Sequence, residues 1–338
     1  MREPKFWRRP KSISGFALRP LSWLYQSASF LRRVTAKPQK AALPIICVGN
    51  VTVGGAGKTP VTDFIAQHLK DKGWSPAILS RGYGGQIKDA CAVDLNLHNS
   101  IDVGDEPLML AQRHQVFIGA DRAASAELAR NADNTILIKD DGLQNPSLYH
   151  DINILVVDGE KGFGNELIFP AGPLREHPYE ALNRTDIVII IGDATGHGIT
   201  TFIGKCHGRA VPVFYASTKP SLTQTDDKKP VLAYCAIARP QKFYQTLANF
   251  GFEVAQTRDF PDHYYFSEDD AKDLLRFADA QNLTLYTTEK DAARLTKLGD
   301  EAHYRQKLLE RSTIVPIRLE VSDDFMAHIL ARLKTPSV

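Results

Sequence analysis

Several signals that would place a chain at once are scarce or missing here. No apolar run reaches the roughly eighteen residues that a bilayer-spanning helix needs. The only cysteines, Cys47, Cys91, Cys206 and Cys235, are scattered, with no CxxC pair and no Cys/His ligand spacing. That excludes a zinc finger and a disulfide framework, and it fits a reducing compartment. No internal repeat or low-complexity tract stands out. Acid is almost absent from the first forty residues, where Glu3 alone faces Arg2, Lys5, Arg8, Arg9, Lys11, Arg19, Arg32, Arg33, Lys37 and Lys40. The apolar segment in this arm is broken by Arg19 and Pro20, so it does not read as a secretory signal. The expectation is a cytoplasmic protein held at a membrane.

With 338 residues, 43% of them hydrophobic and 24% charged, the chain can bury a large core in one large or two medium domains. The formal net charge of +2 conceals a basic arm on a body in which acids outnumber bases. Such an arm seeks an anionic partner, a membrane surface or a nucleic acid. Residues 14–34 read as one helix with Pro20 near its start and Arg32 and Arg33 at its C-terminus, where cations suit the dipole. Leu21, Leu24, Ala28 and Leu31 recur at helical spacing, and Trp23, Tyr25 and Phe30 widen that face. Such a helix either packs on the core or lies in a membrane interface; the aromatics and flanking bases favour the interface. Nucleic acid would need basic and aromatic residues interleaved on the folded body, and none are found, so no nucleic-acid partner is expected.

From residue 43 short apolar runs alternate with helical segments: Leu43–Val48, Ala77–Leu79, Val116–Ile118, Thr135–Ile138, Ile152–Val157 and Ile187–Ile191. Strands of this kind predict an α/β fold, a mainly parallel sheet with helices on both faces. The polar stretch 221–229 reads as a linker. Val231–Ala236, Thr284–Thr287 and Ile314–Ile317 beyond it read as strands of a smaller α/β unit. The expected organisation is therefore a basic arm (1–40), a phosphate-loop domain (41–222), a linker (223–229) and a smaller C-terminal domain (230–338).

The strongest motif is Gly49-Asn-Val-Thr-Val-Gly-Gly-Ala-Gly-Lys-Thr-Pro60, placed after a strand and before a helix. Residues Thr52, Val53, Gly54, Gly55, Ala56, Gly57, Lys58 and Thr59 would cradle phosphate with backbone N–H groups at a helix N-terminus. Lys58 would reach the β- and γ-phosphates, and the Thr59 hydroxyl would ligate Mg²⁺. Thr52 stands where the usual loop has its first glycine. Of the acids that end strands, Asp140-Asp141, Asp158 and Asp193, the doubled pair best suits a metal ion and its waters. Gly104-Asp-Glu-Pro107 is a second acidic pair, readable also as a helix cap. Arg81, in Ser80-Arg-Gly-Tyr-Gly-Gly85, is a candidate phosphate contact. Spacing alone assigns nothing to His263 in Phe260-Pro-Asp-His263.

In this order these segments, with Asp140–Gln144, Gly172–Glu176, Ile237–Pro240 and Thr287–Arg294, resemble the tetraacyldisaccharide 4′-kinases of the lipid A pathway of Gram-negative bacteria, from the N-terminal helix to about residue 295. That family's phosphate loop also has Ser or Thr in place of the first glycine. The resemblance implies a P-loop NTPase-like fold and an enzyme that moves the γ-phosphoryl of MgATP to the 4′-hydroxyl of a tetraacylated glucosamine disaccharide 1-phosphate. It implies peripheral attachment to anionic lipid at the cytoplasmic face of the inner membrane. It makes Asp105 the base, assisted by His263 from the other domain, and sets Asp140, Asp141 and Glu106 at Mg²⁺ with Thr59. Arg175 and Glu176 would lie near nucleotide or substrate. Two positions depart from the pattern, Asn145 where histidine is usual and His150 where arginine is common. Two other classes share parts of the signal. A P-loop ATPase or GTPase switch fits the Gly-Lys-Thr loop, yet no Asn-Lys-x-Asp sequence specifies guanine. A non-catalytic membrane-binding module fits the arm alone. A monomer is expected.

Overall fold

Nine strands form one twisted sheet because most of them are short, unbroken Val/Ile/Leu runs that need cover on both faces. The computed structural model describes residues 3–9, 12–222, 229–296 and 303–333. After a short 3₁₀ turn (Lys5–Arg8) come α1 (Ile13–Ala17), α2 (Arg19–Thr35), β1 (Ile45–Gly49), α3 (Lys58–Asp71), β2 (Pro76–Ser80) and β3 (Cys91–Ala92). Then follow α4 (Ser100–Val103), α5 (Asp105–Ala111), β4 (Gln115–Ile118), α6 (Arg122–Asn131), β5 (Ile136–Asp140) and β6 (Ile152–Asp158). The first unit continues with α7 (Pro178–Leu182), β7 (Ile187–Ile191), α8 (Ile199–His207) and β8 (Val213–Pro220).

The second unit holds β9 (Val231–Cys235), α9 (Pro240–Asn249), β10 (Val254–Asp259), α10 (Glu268–Ala280), β11 (Thr284–Thr288), α11 (Glu289–Leu295), α12 (His303–Arg311) and β12 (Ser312–Val315). The chain then returns to the first sheet with β13 (Ile317–Val321) and α13 (Asp324–Arg332). The large sheet runs β13-β8-β7-β6-β1-β5-β2-β4-β3, parallel except for β3 against β4 and β13 against β8. The small sheet, β10-β9-β11-β12, is parallel throughout.

Alternation along the central strand shows how the layers are sealed. Ile46 and Val48 of β1 face a core shared with Val61, Ile65 and Leu69 of α3 and with Phe325 and Ile329 of α13. Cys47 faces the opposite core, with Leu155, Val188 and Phe202, and Ile45 packs with Ala126 and Ala129 of α6. Each fully buried aliphatic side chain of this kind contributes about 1.5–3 kcal/mol.

Two expectations are amended, the course of the arm and the end of the smaller unit. The arm is two helices, because Leu18 breaks the run and Pro20 fits the first turn of α2. Its stripe does not meet the core: Leu21, Trp23, Leu24, Phe30 and Leu31 are 53–69% exposed. The unit expected over 230–338 ends near Val315, since Ile317–Val321 pairs antiparallel with β8 on the large sheet. Residues 223–228 of the expected linker lie outside the described residues.

Candidate active site

The phosphate loop leaves the C-terminal end of β1, which sits between β5 and β6 in the middle of the sheet. Asn50 is fully buried and acts as its internal brace. Its side-chain amide donates to the Thr52 carbonyl at 2.9 Å and to Thr52 Oγ1 at 3.1 Å, while its Oδ1 accepts from Lys58 Nζ at 3.2 Å. Thr52 bridges Leu174 in an antiparallel pairing, flanked by Val53 N donating to Pro173 O and Arg175 N donating to Val51 O, both at 2.7 Å. That pairing explains the missing glycine: backbone in a β bridge suits a β-branched residue. Gly57 is a different case. Its φ is +85°, and a Cβ there would run into the side chain of Ile191. The loop then delivers Lys58 and the buried Thr59 to the N-terminus of the fourteen-residue α3.

Strand β5 ends in the acidic pair. Asp140 is buried, accepts from Thr62 Oγ1 at 3.3 Å and makes no ion pair among the described residues. Burial, with Glu106 nearby, pushes its carboxyl up to about 7 even though Lys58 opposes the shift. Asp141 has φ +54° and turns to the basic side. Arg175 Nη1 donates to both of its oxygens at 2.8 and 3.0 Å, and Lys58 Nζ lies 3.6 Å from Oδ1. Burial works against the charge on Asp141, but Lys58 and Arg175 hold its pKa below the ordinary value.

The second half of the site is assembled across the two units. Gly104, at φ +93° with no room for a Cβ beside the Tyr83 carbonyl, lets the chain turn into α5 and buries Asp105. Asp105 Oδ1 accepts the Glu106 N–H at 2.9 Å. Its Oδ2 accepts from His263 Nδ1 at 3.0 Å, from Arg294 Nε at 3.0 Å and from Arg294 Nη2. Burial alone would raise this carboxyl; the His263 hydrogen bond, Arg294 and Lys290 outweigh it and hold it far below the carboxylate range. His263 is raised in turn, chiefly by the same hydrogen bond. Its φ of +61° is the strained left-handed conformation, and 44% of its side chain remains exposed. With Nδ1 donating to the carboxylate of Asp105, Nε2 is the other end of the ring, 3.9 Å from Asp262 Oδ1.

Glu106 is paired with Lys290, whose charge is the main cause of its lowered pKa, and Lys58 adds to the shift. Lys290 and Arg294 were not singled out as site residues in the sequence, although their i, i+4 spacing puts both on one face of a helix. That helix is α11, held by a capping Thr288 and by the fully buried Asp291, which accepts from Arg294 Nη1 at 2.7 Å. Glu289 at its start reaches back to Arg113 at 2.6 Å. Of the remaining expected residues, Arg81 is exposed beyond β2. Glu176 is buried among Arg33, Arg184 and Gln144.

Mg²⁺ asks for hard oxygen donors and keeps most of its shell for water and phosphate. Asp140, a buried carboxyl hydrogen-bonded to Thr62 in the first turns of α3 and in no ion pair among the described residues, and the Thr59 hydroxyl make a fitting donor pair. Asp141 and Glu106 are each engaged by a cation. Among the described residues no group of three or more His, Cys, Asp or Glu forms a closed metal cage.

A glycine loop from the central strand to a helix, its lysine at the helix N-terminus and an acid closing the next strand define a P-loop nucleotide enzyme of the kinase type. The particular family follows from comparison. The chain belongs to the tetraacyldisaccharide-1-P 4′-kinase family, whose model matches residues 14–334. A tetraacyldisaccharide 4′-kinase of Parvibaculum lavamentivorans is 42% identical over 335 residues, 97% of each chain. One of Bradyrhizobium diazoefficiens is 43% identical over 298 residues, 87% of each. The fold matches a crystal structure of the Aquifex aeolicus family member in complex with ATP, with TM-score 0.73 and 24% identity, over 94% of this chain and 98% of that one.

Proposed function

We propose that this chain transfers the γ-phosphoryl of MgATP to the 4′-hydroxyl of a tetraacylated glucosamine disaccharide 1-phosphate lying in an anionic membrane surface. The observation that carries the reading is the dyad of Asp105 and His263, brought together from two units beside the phosphate loop. Lys58 and Glu106 both lie near enough to act on the carboxyl of Asp140, and Lys58 acts on Glu106, which links that dyad's helix to the loop.

The Val53 N–H is taken by Pro173, so backbone N–H groups of Gly54–Gly57 and the N-terminus of α3 would hold the phosphates, with Lys58 at the β- and γ-oxygens. Thr59 and Asp140 would hold Mg²⁺, which supplies neutralising charge on the β,γ-oxygens when bound. The acceptor's O–H bond breaks as its oxygen bonds the γ-phosphorus, and ADP leaves with the bridging oxygen. The proton must go to a base. Four donors already occupy Asp105, so we assign it to hold the imidazole in its Nδ1–H tautomer, and assign the proton to the exposed Nε2 of His263. Asp105 then stabilises the imidazolium, as a carboxylate behind a catalytic histidine does. The pair works as a unit: losing His263 removes the proton acceptor, and losing Asp105 leaves that acceptor unoriented and without its counter-charge.

The arm supplies the surface. Its exposed Ile13, Phe16, Leu21, Trp23, Leu24, Phe30, Leu31 and Val34 have bases alongside, the arrangement of a helix lying in an interface. No helix among the described residues is long and apolar enough to cross a membrane.

The test is transfer of ³²P from γ-labelled ATP to the disaccharide 1-phosphate in detergent micelles, with Lys58→Ala beside the wild type. Labelled lipid from the wild type alone supports the reading. Labelled phosphate in water with no labelled lipid replaces it with a nucleotide-hydrolysing switch.

A further inference from the structure

The buried polar contacts of the arm converge on one segment, Asn165–Glu176. Trp7 is buried, its Nε1 donates to Pro170 O at 3.1 Å, and its carbonyl accepts from Asn165 N at 2.7 Å. Ser22 is the buried residue of α2; its Oγ donates to Ile168 O at 2.7 Å and accepts from Ala171 N at 3.2 Å. Arg33, a turn from the end of α2, donates to Glu176 Oε2 at 2.7 Å. On its other side the same segment is the strand partner of the phosphate loop, through the Thr52–Leu174 bridge and the two flanking backbone hydrogen bonds.

Glu176 stands where the two sides meet. It is 3% exposed and its other oxygen accepts from Arg184 and, at 2.7 Å, from Gln144 Nε2. The same Gln144 nitrogen donates to the Asn50 carbonyl at 2.7 Å. Asn50 in turn braces the loop and Lys58. The preceding residue, Arg175, closes a second path to Lys58 through Asp141. A continuous chain of hydrogen bonds, charge-assisted except for the Gln144–Asn50 link, therefore leads from the helix that carries the exposed apolar face to the lysine that would meet the nucleotide.

We propose that Asn165–Glu176 is a strut through which α2, once seated in a lipid surface, sets the conformation of the phosphate loop, with Arg33 and Glu176 as positioning residues that never touch nucleotide. The inference rests on the membrane reading of the arm. Segments that pack on both sides of a rigid connector share its two-state behaviour, and the ligand of one biases the other. MgATP affinity then depends on whether the arm is in a bilayer, and the enzyme holds its nucleotide firmly only where its lipid acceptor can be met.

The experiment uses the full chain, vesicles of phosphatidylethanolamine and phosphatidylglycerol, a fluorescent ATP analogue with Mg²⁺, and co-sedimentation in parallel. Wild type should sediment with vesicles and bind nucleotide about tenfold more tightly with them than without, within the usual range of coupling between sites. Arg33→Ala should sediment but lose that tightening, Arg33→Lys should regain part of it, and Glu176→Gln should raise KM for ATP while leaving KM for the lipid unchanged. Glu176 is buried, so should that variant fail to fold, Arg33, whose side chain is only partly buried, still decides the matter. Wild type that sediments with unchanged nucleotide affinity overturns the strut alone. Wild type that does not sediment overturns the membrane reading and the strut together. Arg33→Ala that retains the vesicle response also overturns the proposal.

Discussion

The phosphate loop and the seam between α5 and α11 occupy one site but are built in opposite ways. The loop is a single stretch, residues 49–60, held by its own Asn50 and by one neighbouring segment. The seam draws Asp105 and Glu106 from one unit and His263, Lys290 and Arg294 from the other, so it exists only in the folded molecule. Local construction suits an element that must present backbone donors in a fixed shape. Construction across two units suits chemistry that should be complete only when the units are together.

If the seam carries proton transfer and the loop carries phosphate binding, substitutions should separate the two. Asp105→Ala and His263→Ala should each lower kcat, by about 10²–10⁴, the usual worth of a positioned base, with ATP affinity retained in a filter-binding assay. Imidazole in the buffer should restore part of the rate to His263→Ala and none to Asp105→Ala; the opposite pattern, with formate rescuing Asp105→Ala, would return the proton to the carboxylate. Lys58→Ala should instead cost about 10²–10³ in turnover together with weaker nucleotide binding, since it removes a charge aimed at the transferred group.

Smaller effects sharpen the same contrast. Arg294→Met leaves the carboxylate of Asp105 buried without its main cation, and it should destabilise the protein by about 3–5 kcal/mol in urea unfolding. A loss shared with the double variant Arg294→Met/Asp105→Leu would show that the ion pair is not its source. The pH dependence follows from signs. His263 has a raised pKa, so its folded-state stabilisation is present below the ordinary histidine value and lost as pH rises through the raised one. Nε2 must be neutral to accept a proton, so kcat should climb over that same window, displaced alkaline of an ordinary histidine. The Asp105 contribution, with its pKa held low, is present at neutral pH and disappears only in strong acid. Asp105→Asn should move the kcat limb to lower pH; an unmoved limb would assign it to another group. The mildest change, Leu24→Glu on the exposed face of α2, should weaken vesicle sedimentation severalfold by removing apolar contact and adding like charge to an anionic surface.

Legibility in the sequence follows the same division. The strand–loop–helix of residues 45–71 could be read directly, because its information is contiguous and its strand is buried on both faces. Strands β10 and β13 escaped notice for the opposite reason. Val254–Asp259 is an exposed edge of polar residues, and Ile317–Val321 borders the other sheet with a mixed face, so neither gives an apolar run. The dyad was reached only through family resemblance, since no local pattern connects positions 105 and 263. Arg294 closes the family segment Thr287–Arg294, but nothing local in the sequence marks it as a buried partner of Asp105. His150, where the family pattern has arginine, sits 3.1 Å from Nζ of the buried Lys139.

The return of the chain after Val315 changes what the smaller unit can do. The two crossings between units run side by side, Ser221 N donating to Pro316 O at 2.8 Å just where β8 and β13 begin their antiparallel ladder. A body hung from one strand can swivel; a body hung from two strands laced together is mounted on a hinge plate. Rotation about the strands is resisted by the ladder, and bending across it is the compliant direction. A swing of the unit bearing His263 and Arg294 relative to Asp105 would therefore follow the bending direction of that ladder.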